Sequence, residues 1–239
     1  MEPSSREKIL EVAEARFAQR GYAGVGMREV ATAAGLGKSS LFHHFPSKAE
    51  LYVAVVERAI ERIEAHVLPA LEASGSVLAR IDRCVDALVD ALAEHPTTAR
   101  LLLRSLVEED ELAAEEPPGA AEVEARIHAL VALVSALLAE GVAAGELRPA
   151  SAPDAVQTVI GATVYHFASG EFGEAVLGAP LFSAEAVARR KRELKALLSH
   201  GLASPQGPPH PSRFTGLVSR SEPQASEDEE CAQKESPPS

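Results

Sequence analysis

An all-α fold is predicted for this 239-residue chain by three observations. Ala- and Leu-rich segments dominate and β-branched runs are few, a composition that favours helix. Apolar residues recur at helical spacing, as in Ile9, Ala13 and Phe17, and again in Leu51, Val55, Ala59, Ile63 and Val67. No segment of useful length alternates with period two, so no sheet is expected. The length suffices for a buried core and two domains. With aromatics at 4% and no Trp, that core must be built from Leu, Val, Ile and Ala.

About nine helices are expected. The first, Ser4–Gln19, opens on a capping box, Ser4-x-x-Glu7, in which each side chain satisfies the other's free amide. Leu10 joins its apolar stripe, and Arg20-Gly21 ends it, the glycine suiting a left-handed exit. Met27–Ala34 and Lys38–Phe45 are two short helical segments joined by Gly35-Leu36-Gly37. Val30 and Ala31 face inward with Ala34 one turn on. Leu41 and Phe45, four apart, bury together and turn Ser39, Ser40 and His43 toward other faces. A second capping box, Ser47-x-x-Glu50, starts a fourth helix that runs to Pro69.

Five more helices are expected at roughly Val77–Glu94, Thr98–Glu108, Glu122–Ala144, Pro153–Phe172 and Ser183–Leu202. Gly75, Pro96, Pro117-Pro118-Gly119, Gly145 and Gly178 with Pro180 punctuate them. Ser151 and Ser183 are candidate N-caps, and Asp154 adds favourable charge at a helix start. After Leu202 Pro and Ser dominate, and Glu227–Glu230 is a run of four acids. A segment of that composition cannot bury enough surface to offset its ordering entropy, so 203–239 is expected to be disordered.

The net charge of −12 is unevenly spread. Residues 1–48 carry seven Lys/Arg against five Asp/Glu, a net +2, whereas 49–202 carry −11 and 203–239 carry −3. The two cysteines, Cys84 and Cys231, lie far apart and give neither a disulfide framework nor metal spacing. No stretch of about 18 apolar residues is apparent, and Met1–Arg6 lacks a signal-peptide core. A soluble, cytoplasmic protein with no membrane partner is the expectation. No Ser-His-Asp set, Gly-rich phosphate loop, CxxC or HExxH is present, so no enzyme, cofactor or metal site is expected.

The two short segments have the length and turn chemistry of a helix-turn-helix, whose second helix enters the DNA major groove. Residues 1–48 form the only basic part of the molecule. Phosphate attraction fades within about 8 Å at physiological salt, so local charge outweighs the total. A head of +2 is weak electrostatics and favours two heads sharing one duplex. Lys38, Ser39 and Ser40 stand at the start of the reading helix, although one serine could merely cap it. Arg28 and Lys48, long cations beside helix starts, fit phosphate clamps or solvated surface charge. His44, about 100° round from His43, packs beneath the helix or faces outward with it.

These residues resemble the tetracycline-repressor (TetR) family of transcriptional regulators. The resemblance is carried by Ala18 to Gly21, Met27-Arg28-Glu29-Val30-Ala31, Ala34-Gly35-Leu36, Leu41-Phe42-His43-His44-Phe45 and Ser47-Lys48 with Leu51. It covers about residues 5–62. It implies a DNA-binding head at 1–48, an effector-binding and dimerisation body at 49–202, and a homodimer formed through the last two helices. It further implies a double-stranded operator and repression relieved by a small molecule, with activation or a ligand-independent interaction role as alternatives. His43 would contact backbone or a base, and Lys48 matches the family pattern best. Phe42, a further candidate contact, replaces the usual Tyr and loses a phosphate hydrogen bond. Gly26 replaces a capping Thr at a cost of roughly a few tenths of a kcal/mol.

For the body the resemblance places the eighth helix along both a ligand cavity and the dimer interface. Tyr165-His166-Phe167 with Phe172 is its aromatic cluster, read either as pocket or as packing. Cys84, Leu88, His128, Tyr165 and His166 are the candidate pocket residues, and a mostly apolar cavity would suit a hydrophobic effector. Gly161 and Ala162 are small enough for a close helix approach. Arg189-Arg190-Lys191-Arg192 reads either as a nucleic-acid patch or as partners for acids such as Glu185 and Glu193. Removing residues 203–239 should leave both fold and dimer intact, which size-exclusion chromatography of the truncated protein will check.

Overall fold

The computed structural model describes residues 4–107 and 117–202, so the tail expectation and the expected helix end at Glu108 lie outside the described residues. Ten helices are present among them, and no strand: α1 (Ser5–Arg20), α2 (Met27–Ala33), α3 (Lys38–His44), α4 (Lys48–Glu72), α5 (Val77–Glu94), α6 (Thr98–Val107), α7 (Ala120–Ala143), α8 (Ala152–Ala168), α9 (Gly170–Leu177) and α10 (Ala184–Leu202).

The helix starts follow the local chemistry. Ser4 Oγ accepts from the Glu7 amide at 3.2 Å while Glu7 accepts from the Ser4 amide at 2.6 Å, a complete capping box. Ser47 Oγ accepts from the Glu50 amide at 3.1 Å, and Ser151 and Ser183 cap α8 and α10 in the same way. Gly21 closes α1 at φ 72° and ψ 179°, a conformation available essentially to glycine alone.

Three elements depart from expectation. The helix expected over 153–172 breaks after Ala168. Gly170 adopts φ +56°, a left-handed turn that interrupts the helix and carries Phe172 onto α9; a Cβ there would lie 2.7 Å from the Arg100 guanidinium. α4 runs through Pro69 to Glu72, where the buried Leu71 gives the helix end a packing partner. Its carbonyl accepts two bonds from Arg80 at 3.1 and 2.8 Å. α7, finally, is long and apolar enough to cross a membrane by length and composition, contrary to the sequence reading. Its exposed face carries alanines, including Ala125, Ala129, Ala132 and Ala136, together with Ile127 and Leu133, while Val123, Leu137 and Leu138 turn inward.

Two apolar clusters meet along α4. The first gathers Ile9, Phe17, Val30, Leu41 and Leu51 from the first four helices, with Leu101 of α6 and Val123 of α7. At its centre the Tyr52 ring meets Phe17 edge-on at 4.9 Å and Tyr22 at 5.3 Å. The second gathers Ile63 and Val67 of α4 with residues of α5, α7, α8 and α10.

Polar bonds reinforce the junction. Glu14 of α1 is only 3% exposed. It accepts from Arg58 at 2.5 Å, from Arg62 at 3.0 Å, and from the Thr97 hydroxyl at 2.6 Å. Arg104 of α6 donates to the Ala18 and Gln19 carbonyls at the end of α1, each at 3.1 Å. Arg126 of α7 bonds Glu64 and lies 3.4 Å from Glu61.

Burial alone would raise the Glu14 pKa, but Thr97, Arg58 and Arg62 outweigh it and hold the carboxyl below the usual glutamate range. A lowered folded-state pKa contributes stability that is complete above the ordinary glutamate range and is lost as pH falls toward the folded value. Glu14→Gln leaves two arginines without their counter-charge and should cost about 3 kcal/mol at neutral pH. Urea denaturation from pH 7 down to 3 checks this, with the gap between variant and parent narrowing at the acid end.

Candidate nucleic-acid interface and effector cavity

The α2–α3 unit is locked from below. The amides of Ala34, Gly35 and Leu36 bond the carbonyls of Val30, Thr32 and Ala31 at 2.9–3.1 Å, which closes the turn. Leu41 and Phe45 then bury one side of α3 against the head core. The opposite side must face solvent, and Lys38, Ser39 and His43 are exposed there, with Ser40 and Phe42 half-buried. Gly37 is the N-cap of α3 and no side chain caps it, so neither serine is spent on capping. Lys38 Nζ lies 5.4 Å from the centre of the Phe42 ring. His44 is half-buried and meets the exposed His43 ring at 5.6 Å.

The flanking cations differ from one another. Arg28 is exposed at the start of α2, and among the described residues neither it nor Lys38 has an ion-pair partner. Lys48 is half-buried: its ammonium lies 4.3 Å from the Tyr22 ring centre and donates to the Ala23 carbonyl at 3.3 Å. It therefore pins the start of α4 to the α1–α2 connection. Arg16, at 2.7 Å, and Arg20 both pair with Glu29, which withdraws two head cations from the surface field.

A cavity of about 300 Å³ lies among α4, α5, α6, α7, α8 and α10. Of the sequence candidates, Cys84, Leu88 and Tyr165 line it. His128 and His166 do not. Each follows a residue that does, Ile127 and Tyr165, and the next position on a helix points about 100° away. His166 instead packs perpendicular to Phe167 at 4.9 Å. Burial, aided by Arg190 and Arg189, pushes its pKa down to about 4. Burial likewise pushes the Cys84 thiol up to about 11, against the opposing pull of Arg80 and Arg83, so it is neutral.

The aromatic cluster divides. Phe167 packs on Phe182 at 5.4 Å in the core, whereas Tyr165 and Phe172 stay exposed. No neighbour lies within 4 Å of a Cβ built on Gly161, so no close helix approach occurs there within the chain. The basic run on α10 reaches α5 and α8 instead of Glu185 or Glu193. Lys191 pairs with Asp90 at 2.5 Å, Arg190 donates to the Ala162 carbonyl at 2.8 Å, and Lys195 further on pairs with Asp86 at 2.7 Å.

Two residues that join the head to the cavity walls, Glu14 and Arg104, escaped sequence reasoning. Glu14 did carry a signal: it follows Leu10 by four and precedes Phe17 by three, which places a charge in the register of the buried stripe.

Comparison with known proteins agrees with this geometry. The family model for bacterial regulatory proteins of the tetR family matches residues 9–55. That for the tetracyclin repressor-like C-terminal domain matches residues 78–197. The transcriptional regulator RutR of Escherichia coli is 30% identical over 181 residues, covering 74% of this chain and 81% of RutR. The transcriptional activator FasR of Mycolicibacterium smegmatis is 34% identical over 111 residues, covering 46% of this chain and 51% of FasR. Against FasR, then, the match spans about half the relative's length. The fold is shared with AibR in complex with isovaleryl coenzyme A and operator DNA, at a TM-score of 0.64 and 18% identity. That likeness covers 81% of this chain and 97% of AibR. With a helix-turn-helix head and a helical body each matched by its own family model, the chain belongs to the tetR family of bacterial transcriptional regulators.

Proposed function

We propose that this protein is a cytoplasmic repressor that binds its operator as a homodimer and releases it when a small molecule fills the cavity. The observation that carries the proposal is that the walls of one apolar cavity are bonded to the first helix of the head. Leu102 and Leu106 of α6 line the cavity, and Arg104 between them holds the end of α1. Ile60 and Ile63 of α4 line it too, and Arg58 and Arg62 beside them hold Glu14. A ligand that repositions either helix changes the pose of α1, and with it the α3 it supports.

Two heads must match half-sites about one helical turn or a multiple apart, so a small change of pose in each is enough to break register. In this reading 1–48 is the head and 49–202 the body, which dimerises through α8 and α10. Lys38, Ser39, Ser40, Phe42 and His43 face the groove, and Arg28 and Lys48 hold phosphates on either side. The pairing of operator DNA and isovaleryl coenzyme A in AibR supports a two-ligand regulator. FasR is named an activator, so activation of the regulated gene is the second reading.

Selection from a random DNA library should return two half-sites spaced about one turn or a multiple apart, bound by two copies of the chain. A single half-site bound by a monomer would overturn the proposal. A reporter behind the selected site separates repression from activation. Arg28→Ala or Lys38→Ala should weaken binding to every sequence and lower the salt slope by about one, measured by fluorescence anisotropy across a salt series. Lys48→Ala should do the same and also lower the melting temperature, because the Tyr22 contact is lost with the charge.

A further inference from the structure

We propose that the cavity takes the hydrocarbon part of its ligand, an alkyl chain or fused-ring body, and leaves any charged head group outside at a mouth edged by Leu103, Leu106 and Ile127. The proposal rests on reading the cavity as the effector site, and it specifies the chemistry of what enters.

Among the described residues, no lining residue carries a charge, and the lining side chains with a heteroatom are Cys84, Ser105 and Tyr165. The Ser105 hydroxyl already donates to the Leu102 carbonyl at 2.9 Å, the Cys84 thiol is neutral, and Tyr165 is 56% exposed. A carboxylate, phosphate or ammonium drawn inside would meet no counter-charge and no uncommitted hydroxyl among the described lining residues of the interior, and the cost of burying such a group unpaired is prohibitive. Cations on the surrounding helices are engaged elsewhere: Arg62 with Glu14, Arg80 with Glu140, Arg104 with the α1 carbonyls, Arg126 with Glu64 and Lys195 with Asp86.

The lining residues that reach solvent away from the proposed dimer helices locate the opening: Leu103 and Leu106 of α6 and Ile127 of α7 line the cavity and are exposed, whereas the exposed Ile160 and Tyr165 belong to α8 and do not mark it. Leu106, at 70% exposed, is the extreme case. A hydrocarbon passing this rim covers apolar surface otherwise left in water, and a polar end group beyond it stays hydrated. The interior volume of about 300 Å³ sets the length that can be taken in.

The test uses the full-length protein, with n-alkyl alcohols and the matching carboxylic acids as probes, followed by isothermal titration calorimetry. Affinity should rise about fourfold per added methylene and level off once the chain fills the interior. Alcohols and acids should share that slope, because their head groups lie outside. Leu88→Phe, which occupies part of the interior, should shift the plateau to shorter chains. Affinity independent of chain length, or a slope present for alcohols and absent for acids, would overturn the proposal. So would a compact charged ligand that binds competitively with the n-alkyl probes.

Operator release is read separately in the same samples. Chain binding as described without release would refute the effector reading and leave the cavity chemistry standing. Release by a compact charged ligand bound in the cavity would do the reverse.

Discussion

The buried carboxylate of Glu14 is the constraint on which the arrangement of this molecule depends. It sits on the head's first helix, yet its partners come from α4 and from the turn before α6. A glutamate removed from water must be satisfied on both oxygens, and here two guanidinium groups and a hydroxyl do so. That requirement fixes α1 against α4 and places Thr97 beside it. Arg104 adds a second attachment at the far end of α1, on its last carbonyls. The head is thereby held at two points in the C-terminal half of one helix by the elements that line the cavity. Apolar packing alone would tolerate sliding along α4, whereas charge-assisted bonds with defined geometry do not.

Much of the fold could be read from the chain because its helices obey local rules. Ser4 and Glu7 close on each other, Ser151 and Ser183 cap their helices, and Leu41 with Phe45 orients α3. These are interactions within a turn or two, and spacing encodes them. The break at Gly170 was not readable in the same way, because an isolated glycine can also continue a helix, and the Arg100 side chain that approaches it comes from α6. Nor was the passage of α4 through Pro69, since Leu71 and Arg80 hold the end of that helix from outside the local sequence. α7 is apolar by average and not by unbroken run: residues 127–139 hold no Asp, Glu, Lys or Arg, while Glu124, Arg126 and Glu140 interrupt the stretch on either side.

The candidate sites divide along the same line. The exposed side of α3 follows from its buried side, so Lys38, Ser39 and His43 were accessible to reasoning. Cys84, Leu88 and Tyr165 were recovered on the cavity, whereas His128 and His166 were chosen for their chemistry at positions whose helical phase carried them away. Lys48 reads in sequence as a surface cation, and only the tertiary approach of Tyr22 shows how it is held. The partners of Lys191 and Lys195 lie about a hundred residues back on α5, beyond any spacing rule.

The Glu29 cluster bears on how such a protein finds its target. With Arg16 and Arg20 turned onto Glu29, the head offers random duplex little to hold, and the acidic body adds repulsion. Encounters with non-cognate DNA should be short, ended by dissociation sooner than by long sliding. A regulator built in this way spends most of its search detached, and lingers only where two matched contacts close at once.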